Sequence, residues 1–206
     1  MLTIWGRTNS VNVKKVLWCA EELGLTYERK EAGGLFGLVD EPSFRALNPN
    51  GLVPLIEDDG LVLWESNTIV RYFAAKYGTP AFWPSDPATR ASGEKWMDWA
   101  TSTLAGPFRN VFWPMVRAAP EERDMARIEE NVSTCSRLLG IVDKALADQP
   151  YLSGEAFGAA DIPLGCFAYG WYGMAIERPD LPHLKAWYDR LTERPAYRQA
   201  VMIPLT

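Results

Sequence analysis

The sequence is poor in the residues that build metal centres and disulfide frameworks. It contains one histidine, His183, and three cysteines, Cys19, Cys135 and Cys166, which are odd in number and lie far apart. No two cysteines have the spacing of a paired-cysteine motif, and the histidine completes no familiar zinc pattern with them. We therefore expect no metal site, no disulfide framework and a reducing, cytoplasmic setting.

Signals for membranes and nucleic acids are also missing. The N-terminus lacks a basic region followed by a long apolar run, so no secretory signal is visible. The longest uncharged run, residues 162–176, contains a proline and three glycines and is too short to span a bilayer. A net charge of −5 argues against nucleic acid or an anionic membrane as the main partner.

What is present is the composition of a globular protein, with 48% hydrophobic and 23% charged residues in a chain of 206. Over the first eighty residues, strand and helix patterns alternate. We predict strands at 2–6, 26–32, 55–57 and 61–64, and helices at 13–23, 42–47 and 66–77. This order predicts a four-stranded mixed sheet with helices on both faces, in a domain of residues 1–79.

The rest of the chain shows helical patterns only. Three prolines, Pro80, Pro84 and Pro87, mark a linker at 80–88. Beyond it we predict helices at 90–107, 108–117, 120–146, 160–176, 181–194 and 195–202. The expected fold class is therefore α+β, with a mixed-sheet domain followed by an all-α helical bundle at 89–206.

Two neighbouring segments of the first domain are typical of a site that binds a peptide-like ligand. The first is the run NPNGLVP at 48–54, which predicts a turn followed by a strand that begins at a proline. Val53-Pro54 is a candidate cis bond with exposed backbone beside it. The second is Glu65-Ser66, at a predicted helix start, where N–H groups point outward and attract anions.

The loop before the first helix carries two short polar side chains, Ser10 and Asn12. It lies between a strand and a helix, where ligands commonly sit in sheets of this kind. Capping of the helix is the ordinary role for such residues, and it is compatible with ligand binding. The loop has no cysteine or histidine, and Ser10 has no visible triad partner, so covalent catalysis is not expected.

Ser10 is better suited to donate a hydrogen bond to an anion such as a thiolate. A free thiol has a pKa near 8.5, and lowering it by about two units needs about 2.7 kcal/mol. One hydrogen bond to a charged group supplies about 1.5–3 kcal/mol, and a helix N-terminus adds about 0.3–1 kcal/mol. Ser10 and the helix start are therefore sufficient, and no metal is required.

Other conspicuous residues have an ordinary structural explanation. Asp161, near a predicted helix start, is interpreted as a structural cap. Phe108, Phe112 and Trp113 form a helical stripe that more often packs in a core than lines a ligand site, and the same holds for Trp171.

These motifs together resemble the cytosolic glutathione S-transferases, over the whole length of the chain. The segments that carry the resemblance are SVNVKKV at 10–16, ELGL at 22–25, NPNGLVP at 48–54, Glu65-Ser66, Ala160-Asp161, and WYDRL at 187–191 with Arg194-Pro195. Each motif is modest alone, whereas their order and spacing are highly specific. The pattern is most similar to bacterial serine-type members of theta-, phi- or nu-like character.

The resemblance implies a thioredoxin-like first domain in the order βαβαββα, glutathione as cosubstrate, a role in detoxification, and usually a homodimer. It gives Ser10 the hydroxyl that stabilises the glutathione thiolate, a role that Asn12 shares in some bacterial relatives. The implied reaction is attack of this thiolate on a small hydrophobic electrophile. The electrophile pocket is expected to include Arg7, Phe112, Trp113 and Trp171.

The resemblance also implies how glutathione is held. The Val53-Pro54 backbone binds the cysteinyl unit, and Glu65-Ser66 hold the γ-glutamyl group. Asp161 matches the family's capping aspartate, but the serine or threonine three residues before it is here Gly158.

The sequence departs from the family where the glycine end of glutathione is usually held. Leu52 stands where many members have lysine or glutamine, and Val39 lies where many have a basic or amide residue. Arg7 or Lys14 is a possible substitute. Two other functions remain open, a glutathione-dependent disulfide or peroxide reductase and a non-catalytic glutathione-fold binding protein.

Overall fold

The computed structural model describes all residues from Met1 to Thr206. In the first domain, a β-α-β unit is followed by a short helix, a β-hairpin and a final helix. The elements are β1 (Leu2–Trp5), α1 (Val11–Glu22), β2 (Tyr27–Lys30), α2 (Pro42–Leu47), β3 (Leu55–Asp58), β4 (Leu61–Trp64) and α3 (Ser66–Tyr77). A single 3₁₀ turn, Gly34–Phe36, lies between β2 and α2.

The four strands form one mixed sheet in the order β2-β1-β3-β4. β1 pairs with β2 in parallel and with β3 in antiparallel register, so that Ile4 lies opposite both Arg29 and Ile56. The parallel crossover through α1 places the start of that helix at the end of β1, beside the loop that leads into β3. This arrangement brings the segments 7–12 and 48–54 to the same edge of the sheet.

The second domain is helical throughout. Its helices are α4 (Pro87–Trp99), α5 (Ala105–Val116), α6 (Met125–Ala145), α7 (Asp161–Gly173), α8 (Pro182–Thr192) and α9 (Pro195–Ala200). The predicted fold class is confirmed, because a four-stranded mixed sheet with helices precedes an all-helical region. The division at 80–88 stays a prediction; the helices on either side end at Tyr77 and begin at Pro87.

Two helix boundaries differ from the prediction for local reasons. The predicted break near Pro107 is absent, because a π-helical turn at Ala100–Leu104 joins α4 to α5 and accommodates the proline that follows. Conversely, the predicted helix 120–146 is interrupted. A 3₁₀ turn ends at Glu122, and α6 starts anew where the side chain of Asp124 accepts from the N–H of Arg127.

The two domains share a core centred on α1. Its buried side chains include Trp18, which stacks edge-on against Tyr197 of α9, and Cys19, which is fully buried as expected for a small hydrophobe. A methyl group at Gly165 of α7 would lie 2.6 Å from the Trp18 ring, so a glycine is required for this close approach. α1 therefore links the sheet to the helical domain as well as carrying the polar loop at its start.

Asp161 has a structural role that is broader than capping. Its carboxylate accepts from the backbone N–H groups of Leu152, Ser153 and Gly158, and from the indole N–H of Trp187 at 2.8 Å. It therefore fastens the 152–158 loop to α7 and α8. The missing serine of the family pattern is explained by space, since a Cβ at position 158 would lie 2.9 Å from the carbonyl oxygen of Phe82.

None of the helices combines the length and the apolar character that crossing a membrane requires.

Candidate functional site

A cavity of about 480 Å³ opens between the two domains. One wall comes from loops of the first domain, namely 7–12, 33–34 and 51–53, together with the first turns of α1. The opposite wall comes from α5 and α7 of the helical domain, and Leu205 lies at its margin. The cavity thus lies at the edge of the sheet where the segments 7–12 and 48–54 meet.

Ser10 lies on the cavity wall with a free hydroxyl. It occupies the N-cap position of α1 with extended backbone angles, and its main-chain oxygen accepts from Lys14 N at 2.9 Å. Its side chain, however, makes no capping hydrogen bond. The hydroxyl is therefore available to a ligand at the positive end of the α1 dipole.

Asn12 is oriented by two donors. Its side-chain oxygen accepts from Lys15 Nζ at 3.0 Å and from Ser66 Oγ at 3.3 Å. With the carbonyl oxygen occupied, the free end of the side chain is its NH₂ group, which can only donate. Asn12 lines the cavity, so the loop offers two donors, a hydroxyl and an amide, to the same space.

Lys15 lines the cavity, and the sequence interpretation did not include it among the site residues. It is 1% exposed, its ammonium lies 5.1 Å from the Phe167 ring centroid, and it forms no salt bridge. Burial lowers the pKa of Lys15 to about 8. The available signal was its position in the sequence. Lys15 lies inside a predicted helix whose neighbouring residues Val13, Val16 and Leu17 are apolar, so a lysine there is a candidate for burial.

Lys14 is occupied by the protein itself. Its ammonium donates to the Val201 carbonyl at 2.9 Å and lies over the Tyr169 ring, 4.8 Å from its centroid. Burial lowers the pKa of Lys14 to about 8 as well. This side chain contributes charge to the cavity, but its hydrogen bond goes to the residue after α9. It is therefore not directed to the region of Leu52, where a substitute for the family's polar residue was expected.

The Val53-Pro54 bond is cis, as the sequence indicated. Val53 lines the cavity, whereas Pro54 is buried beneath it. The backbone N–H and C=O of Val53 form no hydrogen bond within the protein. An unpaired donor and acceptor on one residue is what an extended peptide needs for antiparallel pairing.

Glu65 and Ser66 lie at the start of α3, at the rim of the cavity and outside its lining. Glu65 is exposed and adopts a positive φ of 74°, a conformation that costs a non-glycine residue about 1–3 kcal/mol. Ser66 is buried and reaches the site through its hydrogen bond to Asn12. The positive φ of Glu65 thus lies directly at the start of α3, next to the residue that contacts Asn12.

The region of Leu52 and Val39 contains a cation that the sequence interpretation did not select. A methyl group at Gly51 would lie 2.9 Å from Arg45 Nη2 and 3.0 Å from the Val39 carbonyl oxygen, so the Arg45 guanidinium lies beside both. Its hydrogen bonds go to the exposed side chain of Asp40 and to a backbone oxygen. Leu52 itself is 66% exposed.

The structure brings Arg7 of the first domain together with Phe112 and Trp113 of the helical wall around the cavity as expected, but not Trp171. Trp171 is 1% exposed and does not line the cavity, so its placement in the electrophile pocket is wrong. α7 is apolar on all sides, and its sequence therefore does not distinguish the face towards the cavity from the face towards the core. The lining residues that were not predicted are Thr101, Ala105, Phe108, Arg109, Arg117, Cys166, Phe167, Tyr169 and Gly170.

Similarity to known proteins agrees with this geometry. The chain matches the family models of the glutathione S-transferase N-terminal domain over residues 9–76 and of the C-terminal domain over residues 97–195. It is 49% identical to glutathione S-transferase GstB of Escherichia coli K12 and 31% identical to glutathione S-transferase 3 of Zea mays. These alignments cover 100% of both chains in the first case, and 99% of this chain and 95% of the other in the second.

The structural comparison gives the same answer. A crystal structure of the theta class glutathione S-transferase from Xanthomonas axonopodis pv. citri with glutathione bound superimposes with a TM-score of 0.97 and 59% identity, covering 100% of this chain and 99% of that one. Glutathione transferase F7 from Populus trichocarpa superimposes with a TM-score of 0.85 and 25% identity over 98% of each chain. The chain therefore belongs to the glutathione S-transferase family and is a glutathione S-transferase enzyme of bacterial type.

Proposed function

We propose that the protein binds glutathione in the interdomain cavity, stabilises its thiolate with Ser10 and Asn12, and transfers the whole glutathionyl group to a small hydrophobic electrophile through a new bond to sulfur. The observation that carries this proposal is that two hydrogen-bond donors on the wall of the first domain have no acceptor within the protein. The Ser10 hydroxyl makes no cap, and the Asn12 amide is turned by Lys15 and Ser66 so that its NH₂ is free.

The two donors and the buried charge behind them supply the energy that thiolate formation needs. Lowering the thiol pKa by about two units requires about 2.7 kcal/mol, and each hydrogen bond to the charged sulfur contributes about 1.5–3 kcal/mol. Lys15 adds a positive charge below the site, and its hydrogen bond goes to the neutral amide of Asn12. The bound thiol is then largely ionised at neutral pH, and its proton passes to solvent.

The peptide part of glutathione fits the remaining unpaired groups. Its cysteinyl backbone pairs with the free N–H and C=O of Val53 beside Pro54. Its γ-glutamyl carboxylate lies at the start of α3, near Glu65 and Ser66, where the helix N–H groups are unpaired. We propose Arg45 as the partner of the glycine carboxylate, because it lies beside Val39 and Gly51 while its present acidic partner is mostly exposed.

Conjugation is favoured over reduction through a protein thiol. Cys166 is the cysteine that lines the cavity, but it is 3% exposed and burial raises its pKa to about 12. Such a thiol is a poor nucleophile at neutral pH. The electrophile is placed against Phe112 and Trp113, across the cavity from Ser10.

The test is a spectroscopic pH titration of bound glutathione in the wild type and in Ser10→Ala. We expect the thiol pKa to rise by one unit or more in the variant, and kcat/KM to fall by about tenfold or more, the value of one hydrogen bond to a charged group. Thr8→Ala, in the same loop but outside the cavity lining, is the matched control. An unchanged thiol pKa in Ser10→Ala contradicts the role given to Ser10.

We also propose that the enzyme works as a homodimer. β4 is an edge strand of the sheet, and its Leu61 and Trp64 are 40% and 38% exposed. Uncovered apolar side chains on an open edge are typical of a surface that pairs with another chain. Sedimentation of the wild type against Trp64→Lys measures this, with a shift to monomer expected in the variant.

A further inference from the structure

The charge around the cavity is opposite in sign to that of the whole chain. The chain has a net charge of −5, yet no aspartate or glutamate lines the cavity. Five cationic side chains do: Arg7, Lys14, Lys15, Arg109 and Arg117. An arrangement of this kind attracts anions and strengthens their interaction inside a low-dielectric cleft.

These five cations also lack the partners that cations find elsewhere in the protein. None of them forms a salt bridge. Of the other sixteen lysine and arginine side chains, seven do: Arg29, Arg45, Arg71, Lys76, Arg90, Lys185 and Arg194. No ion pair with an aspartate or glutamate therefore neutralises the cations of the cavity, and a ligand anion can do so.

Two of the guanidinium groups converge on one residue. Arg7 Nη1 donates to the side-chain oxygen of Asn9 at 2.8 Å, and Arg117 Nη2 donates to the backbone oxygen of the same residue at 3.3 Å. Arg117 Nε also donates to the main-chain oxygen of Thr206 at 3.1 Å, which leaves Nη1 and the second hydrogen of Nη2 for a ligand. Burial and the nearby charge of Arg7 both lower the pKa of Arg117. Two like charges brought together in this way are stabilised by an anion that accepts hydrogen bonds from both.

The surroundings of this pair define the rest of the ligand. Arg117 stacks on Phe112 and Trp113, with its central carbon 5.6 Å and 5.1 Å from the ring centroids. Arg109, two turns earlier on α5, makes no hydrogen bond and adds to the field. An aromatic or otherwise flat apolar body fits against the rings, with its charged group at Arg7 and Arg117.

We propose that the electrophile of this enzyme is itself an anion, an apolar or aromatic molecule that carries a carboxylate or sulfonate held by Arg7 and Arg117. This inference rests on the proposed function, and it sharpens the electrophile class from hydrophobic to amphipathic. The positions proposed above for the two carboxylates of glutathione, at the start of α3 and at Arg45, leave this position free.

A matched pair of substrates tests the proposal, 4-chloro-3,5-dinitrobenzoate and the neutral 4-chloro-3,5-dinitrobenzamide. In both, the thiolate sulfur bonds to the ring carbon that carries chlorine, and chloride leaves with the bonding electron pair. Each enzymatic kcat/KM is divided by the uncatalysed rate constant with glutathione, which removes the difference in intrinsic reactivity. We expect the normalised value to be about tenfold or more higher for the benzoate, the contribution of one charge-assisted hydrogen bond.

The variants Arg7→Gln and Arg117→Gln should each reduce this benzoate-to-benzamide ratio by about tenfold, and high salt should reduce it in the wild type. The ratio for Arg117→Lys, which keeps the charge but not the planar guanidinium, should lie between those of the wild type and Arg117→Gln. Arg127→Gln is the matched control, because Arg127 is an exposed arginine on α6 without a side-chain hydrogen bond or ion pair, and the net charge changes equally.

The outcomes separate this inference from the proposed function. Conjugation of the benzamide without preference for the benzoate overturns the inference and leaves the proposed function intact. A rise in the KM for glutathione in Arg7→Gln, equal with both substrates, also overturns it, because the anion at Arg7 is then glutathione. If neither substrate reacts, calorimetric binding of 3,5-dinitrobenzoate against 3,5-dinitrobenzamide decides, and equal affinity overturns the proposal.

Discussion

The two walls of the cavity are lined by different kinds of chemical group. The wall of the first domain presents backbone groups and short side chains, such as the Val53 peptide and the Ser10 hydroxyl, fixed by turns and helix starts, together with the longer side chains of Arg7, Lys14 and Lys15. The wall of the helical domain presents aromatic rings and long guanidinium side chains, such as Trp113 and Arg117, that project from α5. The first wall suits one invariant ligand, and the second suits ligands that vary.

The difference indicates how specificity is divided. Short groups on a rigid frame lose little conformational entropy on binding and define a single geometry. Long side chains on a helix surface adapt to several shapes and select by charge and apolar area. Substitutions of the backbone-fixed short groups on the first wall should therefore change the handling of glutathione for every electrophile, and those of the aromatic and guanidinium side chains should change the ranking of electrophiles.

The largest effect is expected from Asp161→Ala, which loosens the scaffold of the helical wall. Four buried or partly buried donors lose their acceptor, among them the indole N–H of the fully buried Trp187. We expect the free energy of unfolding to fall by about 3–5 kcal/mol, as measured by denaturant unfolding. At denaturant concentrations too low to unfold it, the variant should keep the wild-type thiol pKa of bound glutathione. A changed pKa would show that the two walls are not independent.

Lys15→Met should separate stability from activity on the first wall. Removing a buried ammonium is expected to raise the stability at pH 7 by about 2 kcal/mol, while the thiol pKa of bound glutathione rises because Asn12 loses one of its orienting donors. Urea unfolding and thiol titration measure the two effects. If activity and stability fall together, Lys15 is only a packing residue.

The stability gain in Lys15→Met should also depend on pH. Lys15 loses its proton near pH 8 in the folded protein, but only near pH 10.5 in the unfolded chain. Between these values the unfolded state binds more protons, so the wild type gains stability relative to the variant as the pH rises. The difference between the two unfolding free energies, followed from pH 7 to pH 10, should therefore shrink; Lys95→Met, on the surface of α4, is the control and should show no such trend.

The smallest effect is expected from Trp113→Ala on the helical wall. Trp113 is 51% exposed, so its loss should change stability by less than about 1 kcal/mol. KM for aromatic electrophiles should rise several-fold, while KM for glutathione stays unchanged. Steady-state kinetics with one aromatic and one aliphatic electrophile measures this, and an equal rise for both would remove the distinction between the walls.

The same contrast explains what the sequence predicts. The segments around Ser10, Val53 and Ser66 are determined by local chemistry, since a helix start or a turn at a proline depends on a few consecutive residues. Their roles towards glutathione remain proposals, but their convergence on one cavity follows from the order of strands and helices. The fold class, the ranges of the four strands and the cis bond were predictable for the same reason.

The helical wall was not predictable in this way. The residues that face the cavity from α5 and α7 are the same kinds of residue that fill a core, and the error at Trp171 follows directly from this. Arg45 and Lys15 were missed for a second reason. Each depends on a contact between segments distant in sequence or on which side of a helix packs inward, and no local motif marks either.

The side chain of Asn12 has a further consequence. Its oxygen accepts at once from Ser66, at the helix start proposed for the γ-glutamyl group, and from Lys15, beneath the proposed sulfur position. A single amide therefore forms a thermodynamic linkage between the two ends of the substrate, in which occupancy at one end changes the free energy of ionisation at the other. Cysteinylglycine, which lacks the γ-glutamyl group, should then bind more weakly and also ionise less readily when bound, which a titration of its thiol would show.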